Sequence, residues 1–143
     1  MNYPHQFNYL MDFTEILDLN VPFKTIEEHE IFLEISDHLI NLPDILKPVQ
    51  LWELHLKRGI VFLRLSQFIE SNKEFNIAIS INPDNYYQFL CRGCSSVYLG
   101  ELKDAYNDYI HAIFLNSFDP KSYLLKGILE LKMNQYNEAM HTF

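Results

Sequence analysis

From residue 52 onward, apolar, small and polar positions return every thirty-four residues. Gly59, Gly93 and Gly127 set the register. Six positions later stand Leu65, Leu99 and Met133, and nine positions later Phe68, Leu102 and Tyr136. Twelve positions after each glycine comes a small residue, Ser71, Ala105 or Ala139, and sixteen after comes an aromatic, Phe75, Tyr109 or Phe143. Ala78 and Ala112 form one more column. A fixed period of this length marks stacked helical units, each burying its apolar face against the next. Glycine inside a helix costs about 1 kcal/mol relative to alanine, so three in one register imply close backbone approach. The small residues leave room, and the aromatics fill the space between helices. The pattern predicts helices over 49–65, 68–82, 86–99, 102–116, 120–133 and 136–143. Asp119-Pro120 supports one start directly, with a capping carboxylate followed by proline at the first helical position. The third unit stops ten residues short at Phe143, which suggests a fragment, a short isoform or an incomplete gene model. The alternative is an edge covered by a partner or a second copy.

Residues before the repeats read as helical without repeating. Thr25-Ile26-Glu27-Glu28 has the spacing of a capping box. Ile31, Ile35 and Leu39 then share one face, with Phe32 and Leu42 beside it, while Glu27, Glu30, Glu34 and Asp37 point elsewhere. The spacing predicts a helix over 26–41 that stops before Pro43. A second helix is expected over 6–19, with Pro22 between the two. Thirty-four residues before Gly59 stands Thr25, a capping residue where the register calls for a mid-helix glycine. The leader is therefore read as a cap or a dimerisation arm, and a cap is what a solenoid end needs.

These columns resemble the tetratricopeptide repeat family. Its order of aromatic, large apolar, glycine, aromatic, then alanine, aromatic, alanine and proline runs through the first copy as His55, Arg58, Gly59, Phe62, Ser71, Phe75, Ala78 and Pro83. The second copy has Phe89, Arg92, Gly93, Ser96, Ala105, Tyr109, Ala112 and Ser117. The third has Tyr123, Lys126, Gly127, Glu130, Ala139 and Phe143. Arg58, Arg92 and Lys126 depart from the large apolar position, and Ser96 and Glu130 from an aromatic one. The resemblance implies an all-α protein, a solenoid of antiparallel helix pairs wound as a right-handed superhelix. Its parts would be an acidic helical cap or arm over 1–48, repeats at 52–85 and 86–119, and a truncated repeat at 120–143.

The same resemblance places a concave groove on the first helix of each pair. Its lining would be Leu56, Ile60, Leu63 and Arg64, then Leu90, Cys94, Val97 and Tyr98, then Leu124, Ile128, Leu131 and Lys132. Glu53, Tyr87 and Lys121 would form the rim. An apolar stripe with aromatic and basic edges suits a hydrophobic peptide or an amphipathic helix. The other reading, that several of these residues are buried between neighbouring helices, stays open. Relatives that grip the C-terminal carboxylate of heat-shock chaperones use five polar positions, which here hold Leu56, Ile60, Cys91, Lys121 and Leu125. A carboxylate needs several converging donors, so that activity is not expected.

Charge sharpens the exclusions. Of a formal net charge of −8, the stretch 1–51 carries −7 and the repeats −1. Nucleic acid is not an expected partner, because no basic footprint exists. No apolar run approaches the roughly 18 residues of a membrane span, and no secretory signal opens the chain. A soluble, cytoplasmic protein is the expectation. Cys91-Arg92-Gly93-Cys94 is the one motif with catalytic spacing, yet it falls inside a helix and shares two residues with the repeat columns. Zinc would need further ligands, and the six histidines show no paired spacing. His111 and His141 fall on outward positions, and Glu101, Asp104 and Asp108 suit a solvated helix start. No nucleophile with a base, phosphate-binding loop or carboxylate pair is visible, so neither an enzyme nor a cofactor is expected. The reading is a scaffold or adaptor for a protein or peptide ligand. Self-association through the uncapped C-terminal edge or the N-terminal arm stays open. A small dedicated chaperone resembling bacterial secretion chaperones is the alternative, and a thiol-redox protein using Cys91 and Cys94 a third.

Overall fold

The structure, a computed structural model, describes residues 22–141. The helix expected over 6–19 lies outside them. Six helices follow in order: α1 (Ile26–Asn41), α2 (Pro48–Arg64), α3 (Phe68–Ile81), α4 (Tyr86–Tyr98), α5 (Leu102–Leu115) and α6 (Pro120–His141). No strand occurs among the described residues. The starts are capped as the sequence dictates. Thr25 Oγ1 accepts from the Glu28 N–H at 3.2 Å, Asn85 Oδ1 from Tyr87 N–H at 3.0 Å, and Asp119 Oδ1 from Lys121 N–H at 3.0 Å.

Two pairs repeat one another closely. α2 packs on α3 and α4 on α5, and each pair stacks on the next through α3 with α4 and α5 with α6. Between the members of a pair the chain reverses through a left-handed residue, Ser66 (φ 59°) or Gly100 (φ 80°). The next amide then bonds back, Gln67 N–H to Phe62 O and Glu101 N–H to Ser96 O, both at 2.9 Å. This turn lays Phe75 across Gly59 and Tyr109 across Gly93. A Cβ at Gly59 would stand 2.6 Å from Cδ1 of Phe75, and one at Gly93 would stand 2.5 Å from Cε1 of Tyr109. Both aromatics are fully buried, each contributing about 2–3 kcal/mol of apolar burial. The architecture is an all-α helical solenoid.

The third unit differs from its expectation. The register predicts a break between 133 and 136, but α6 continues unbroken to His141. Ser66 and Gly100 turn where a second helix docks; at Asn134 no such helix returns, and the backbone keeps its helical bonds. Gly127 consequently faces open space, with nothing within 4 Å of an added Cβ.

The orientation of α1 also corrects the sequence reading. Ile31 and Ile35, read from the sequence as one apolar face, are each 55% exposed, whereas His29 and Ser36 are buried. Arg58 of α2 decides this. Its guanidinium is buried and donates to Leu33 O (3.1 Å) and Ser36 Oγ (2.5 Å), with Asp37 Oδ1 at 2.8 Å from Nη2. A buried cation left without acceptors costs several kcal/mol, more than two isoleucines lose by staying in solvent. The polar edge of α1 therefore turns inward.

Candidate functional site

The basic residues that replace the large apolar column are tied down inside their own repeats. Arg92 donates through Nε (2.9 Å) and Nη2 (2.7 Å) to the two oxygens of Asp108, and through Nη1 to Asn76 Oδ1 (2.9 Å). Arg58 Nε lies 3.2 Å from Glu74 Oε1, and His55 Nδ1 lies 2.6 Å from Glu74 Oε2. Each acid stands sixteen residues after its arginine, a charge column that could have been read from the sequence beside the apolar ones. Burial pushes the Glu74 carboxyl up, but the His55 hydrogen bond and the Arg58 charge outweigh it and hold the group below its ordinary value. Asp108, expected in a solvated cluster, is instead buried against Arg92, while Glu101 and Asp104 remain exposed. Ser96, at a column expected to be aromatic, is buried and lines an open polar cavity of about 360 Å³ with Asn72, Asn76 and Arg92.

Cys91 and Cys94 lie mid-helix in α4, both free and fully buried. Burial raises the Cys94 thiol to about 12, although the Tyr109 hydroxyl, 3.3 Å away, pulls the other way. Burial raises Cys91 well above its ordinary range, and Cys94 beside it adds to that. A thiol without an accessible thiolate is neither a nucleophile nor a redox centre at neutral pH, which removes the thiol-redox reading. Among the described residues, no group of three or more His, Cys, Asp or Glu is placed to hold a metal ion. No helix among them is long and apolar enough to cross a membrane.

The groove positions fall into three levels. Ile60, Leu63, Leu90, Cys94 and Val97 belong to the core, with Leu90 and Cys94 fully buried. Leu56, Tyr87, Tyr98 and Ile128 are half-buried against that core. Arg64, Lys121, Leu124 and Leu131 are exposed, Leu124 at 53% and Leu131 at 65%. Tyr98 is held by Phe68, their rings 4.6 Å apart. Lys132 is half-buried on the same helix, and its desolvation lowers its pKa. Four side chains thus offer contact surface, five form a partly covered layer, and the buried residues are the floor. Helical spacing alone cannot sort these levels, because floor and surface differ by only one turn of the same helix.

No family model matches the chain. Hsp70-Hsp90 organizing protein 3 of Arabidopsis thaliana is 28% identical to it over 87 residues, covering 61% of this chain. That stretch spans 16% of the curated relative's length. Among solved structures, the Arabidopsis OM64 TPR domain shares the fold with a TM-score of 0.54 at 20% identity. The match covers 73% of this chain and 95% of that domain. In repeat register and in fold, the chain is similar to tetratricopeptide-repeat domains.

Proposed function

We propose that the chain is a non-enzymatic interaction module that holds a peptide or a helix along the face formed by α2, α4 and α6. The observation that carries this is the exposure of Leu124 and Leu131 on an ordered helix face. Half-buried Leu56, Tyr87, Tyr98 and Ile128 continue that face, with Arg64 and Lys121 at its edges. Apolar surface held in place beside rigid aromatics and basic edges suits a ligand with leucine-like anchors and acidic flanks. Ile60, Leu90 and Cys94 support the face from beneath and do not touch the ligand. The relative's name speaks of heat-shock chaperones, but the chaperone carboxylate is not the ligand here. Of the five gripping positions, Cys91 and Leu125 are fully buried, and Lys121 is the single cation.

The experiment is selection of displayed peptides on the immobilised chain, followed by affinity measurement with three variants. Leu131→Glu and Lys121→Glu should each weaken binding at least about tenfold, the loss of one anchor or one charge pair at an interface. Ile69→Glu, on the exposed side of α3 (58%), should leave affinity unchanged. Peptides that tolerate both α6 variants would refute the groove reading.

A further inference from the structure

α1 is packed with its polar edge inward. His29 and Ser36 are 4% and 1% exposed, and Arg58 holds that edge through Leu33 O, Ser36 and Asp37. The apolar residues are left outside: Ile31 and Ile35 are each 55% exposed, and Leu42 is 49% exposed. At about 100° per residue these three fall within roughly 40° of one another, so they form one stripe along the helix. A single exposed isoleucine needs no explanation, but an apolar stripe rimmed by charge marks a place where something docks.

The rim says what docks. Half-buried Phe32 and Leu39 bound the stripe on one side. Glu27 and Glu34 bound it on the other, with exposed His38 between them and the stripe and Glu30 one step beyond. Glu28 Oε2 accepts from the Lys24 N–H at 3.1 Å and Asp37 pairs with Arg58, so those two acids are committed within the chain. Among the described residues, Glu27, Glu30 and Glu34 enter no ion pair. α1 itself contains no lysine or arginine. Charge also decides between occupants. A second copy would set the same acidic rim against its own image. Residues 1–21 hold Asp12, Glu15 and Asp18 and no lysine or arginine, so they too carry the sign of the rim. Like charges juxtaposed across an interface cost affinity, and the face is complementary to cations.

We infer that the outer face of α1 is a second docking surface, and that its occupant is a basic amphipathic helix of a partner protein. Leucine-like residues of that helix lie on Ile31, Ile35 and Leu42, and its lysines or arginines face Glu27 and Glu34. The inference stands on α1 alone and does not depend on the groove. The groove along α2, α4 and α6 suits acidic flanks, so the two faces take ligands of opposite charge and do not compete.

The test places a cysteine in the stripe of the full chain, Ile35→Cys, and follows its reaction with a thiol reagent. Cys91 and Cys94 are fully buried and do not interfere. The probe is a synthetic peptide of about eighteen residues, enough for a helix supported by a surface, with leucine at i, i+4, i+7 and i+11 and lysine elsewhere. Its control carries glutamate in place of lysine. The chain alone should label fast at every concentration. The lysine peptide should slow labelling at least about tenfold, and the glutamate peptide should not. Glu27→Lys combined with Glu34→Lys should raise the peptide concentration needed for protection about tenfold. Both residues are exposed, so helical circular dichroism should stay unchanged. Slow labelling of the chain alone at every concentration assigns the face to residues 1–21 and overturns the basic partner. Slow labelling that appears only at high concentration assigns it to a second copy and overturns it equally. Fast labelling that the lysine peptide leaves unchanged, or that both peptides slow alike, also overturns it.

Discussion

Replacing Gly93 by alanine tests how the repeat is held together. The added methyl would lie 2.5, 2.9 and 3.2 Å from Cε1, Cδ1 and Cζ of Tyr109, where ordinary contact begins near 3.4 Å. The ring must therefore retreat by almost an ångström. It is fully buried, and its hydroxyl sits 3.3 Å from Cys94 Sγ, so no open direction is available. Overpacking of this kind costs about 1–3 kcal/mol, and the enclosure of Tyr109 places this site in the upper part of that range. Against it stands the helix-propensity gain of alanine over glycine, about 1 kcal/mol. The net expectation is a loss of about 1–2 kcal/mol, or about 3–6 °C in Tm for a chain of this size. Helical circular dichroism followed through heat and urea reads it out. Gly127→Ala is the internal control. It carries the same propensity gain with nothing within 4 Å, so it should stabilise by up to about 1 kcal/mol. If both alanines stabilise equally, Tyr109 does not press on Gly93 as described, and the account of the glycine column fails.

Further expectations can be checked on the same preparation. Arg92→Ala should cost about 2 kcal/mol, because Asp108, at 9% side-chain exposure, loses both its guanidinium bonds; a double-mutant cycle with Asp108→Asn should recover a large part of that as coupling. Glu74 is held below its ordinary 4.5, so its stabilisation is complete above that pH and is lost as pH falls through the lower folded value. Glu74→Gln should flatten the acid side of the stability–pH curve, and an unchanged slope would show that the carboxylate is not stabilised by His55 and Arg58. A thiol reagent at neutral pH should label Cys91 and Cys94 only at the rate of unfolding, and stoichiometric labelling of the native chain would contradict their burial.

How much was legible in the sequence depends on which forces are periodic. The thirty-four-residue columns located α2 to α5 within a residue or two, because glycine, small and aromatic positions each have one packing role per repeat. The helix over 26–41 came from its cap and from Pro43, both local signals. Its facing did not, because Ile31, Ile35 and Leu39 make a plausible apolar stripe, and nothing local reveals that buried Arg58 requires Leu33 O, Ser36 and Asp37. The break after Met133 was expected by extrapolating a column, but the helix keeps its bonds through Asn134. Among the groove positions the resemblance supplied the face. Depth within it, Leu90 as floor and Leu131 as surface, depends on how neighbouring helices close over each residue.

The joins between repeats are not alike, and that gives the array a direction of failure. The first join is stitched by Trp52 Nε1–H to Gln88 Oε1 (2.9 Å), the Ser71–Ser95 hydroxyl pair (2.9 Å) and Arg92 to Asn76 (2.9 Å). The second rests mainly on the apolar seating of Leu125 and Leu129, with the Lys126 ammonium over Tyr106 and one side-chain hydrogen bond between Tyr86 and Asp119. Hydrogen-bonded stitches demand registered alignment, whereas an apolar seat can slide and separate gradually. Under a pulling force on the C-terminus, α6 should therefore peel away first and at low load. The four helices α2 to α5 would then yield later as one brittle block.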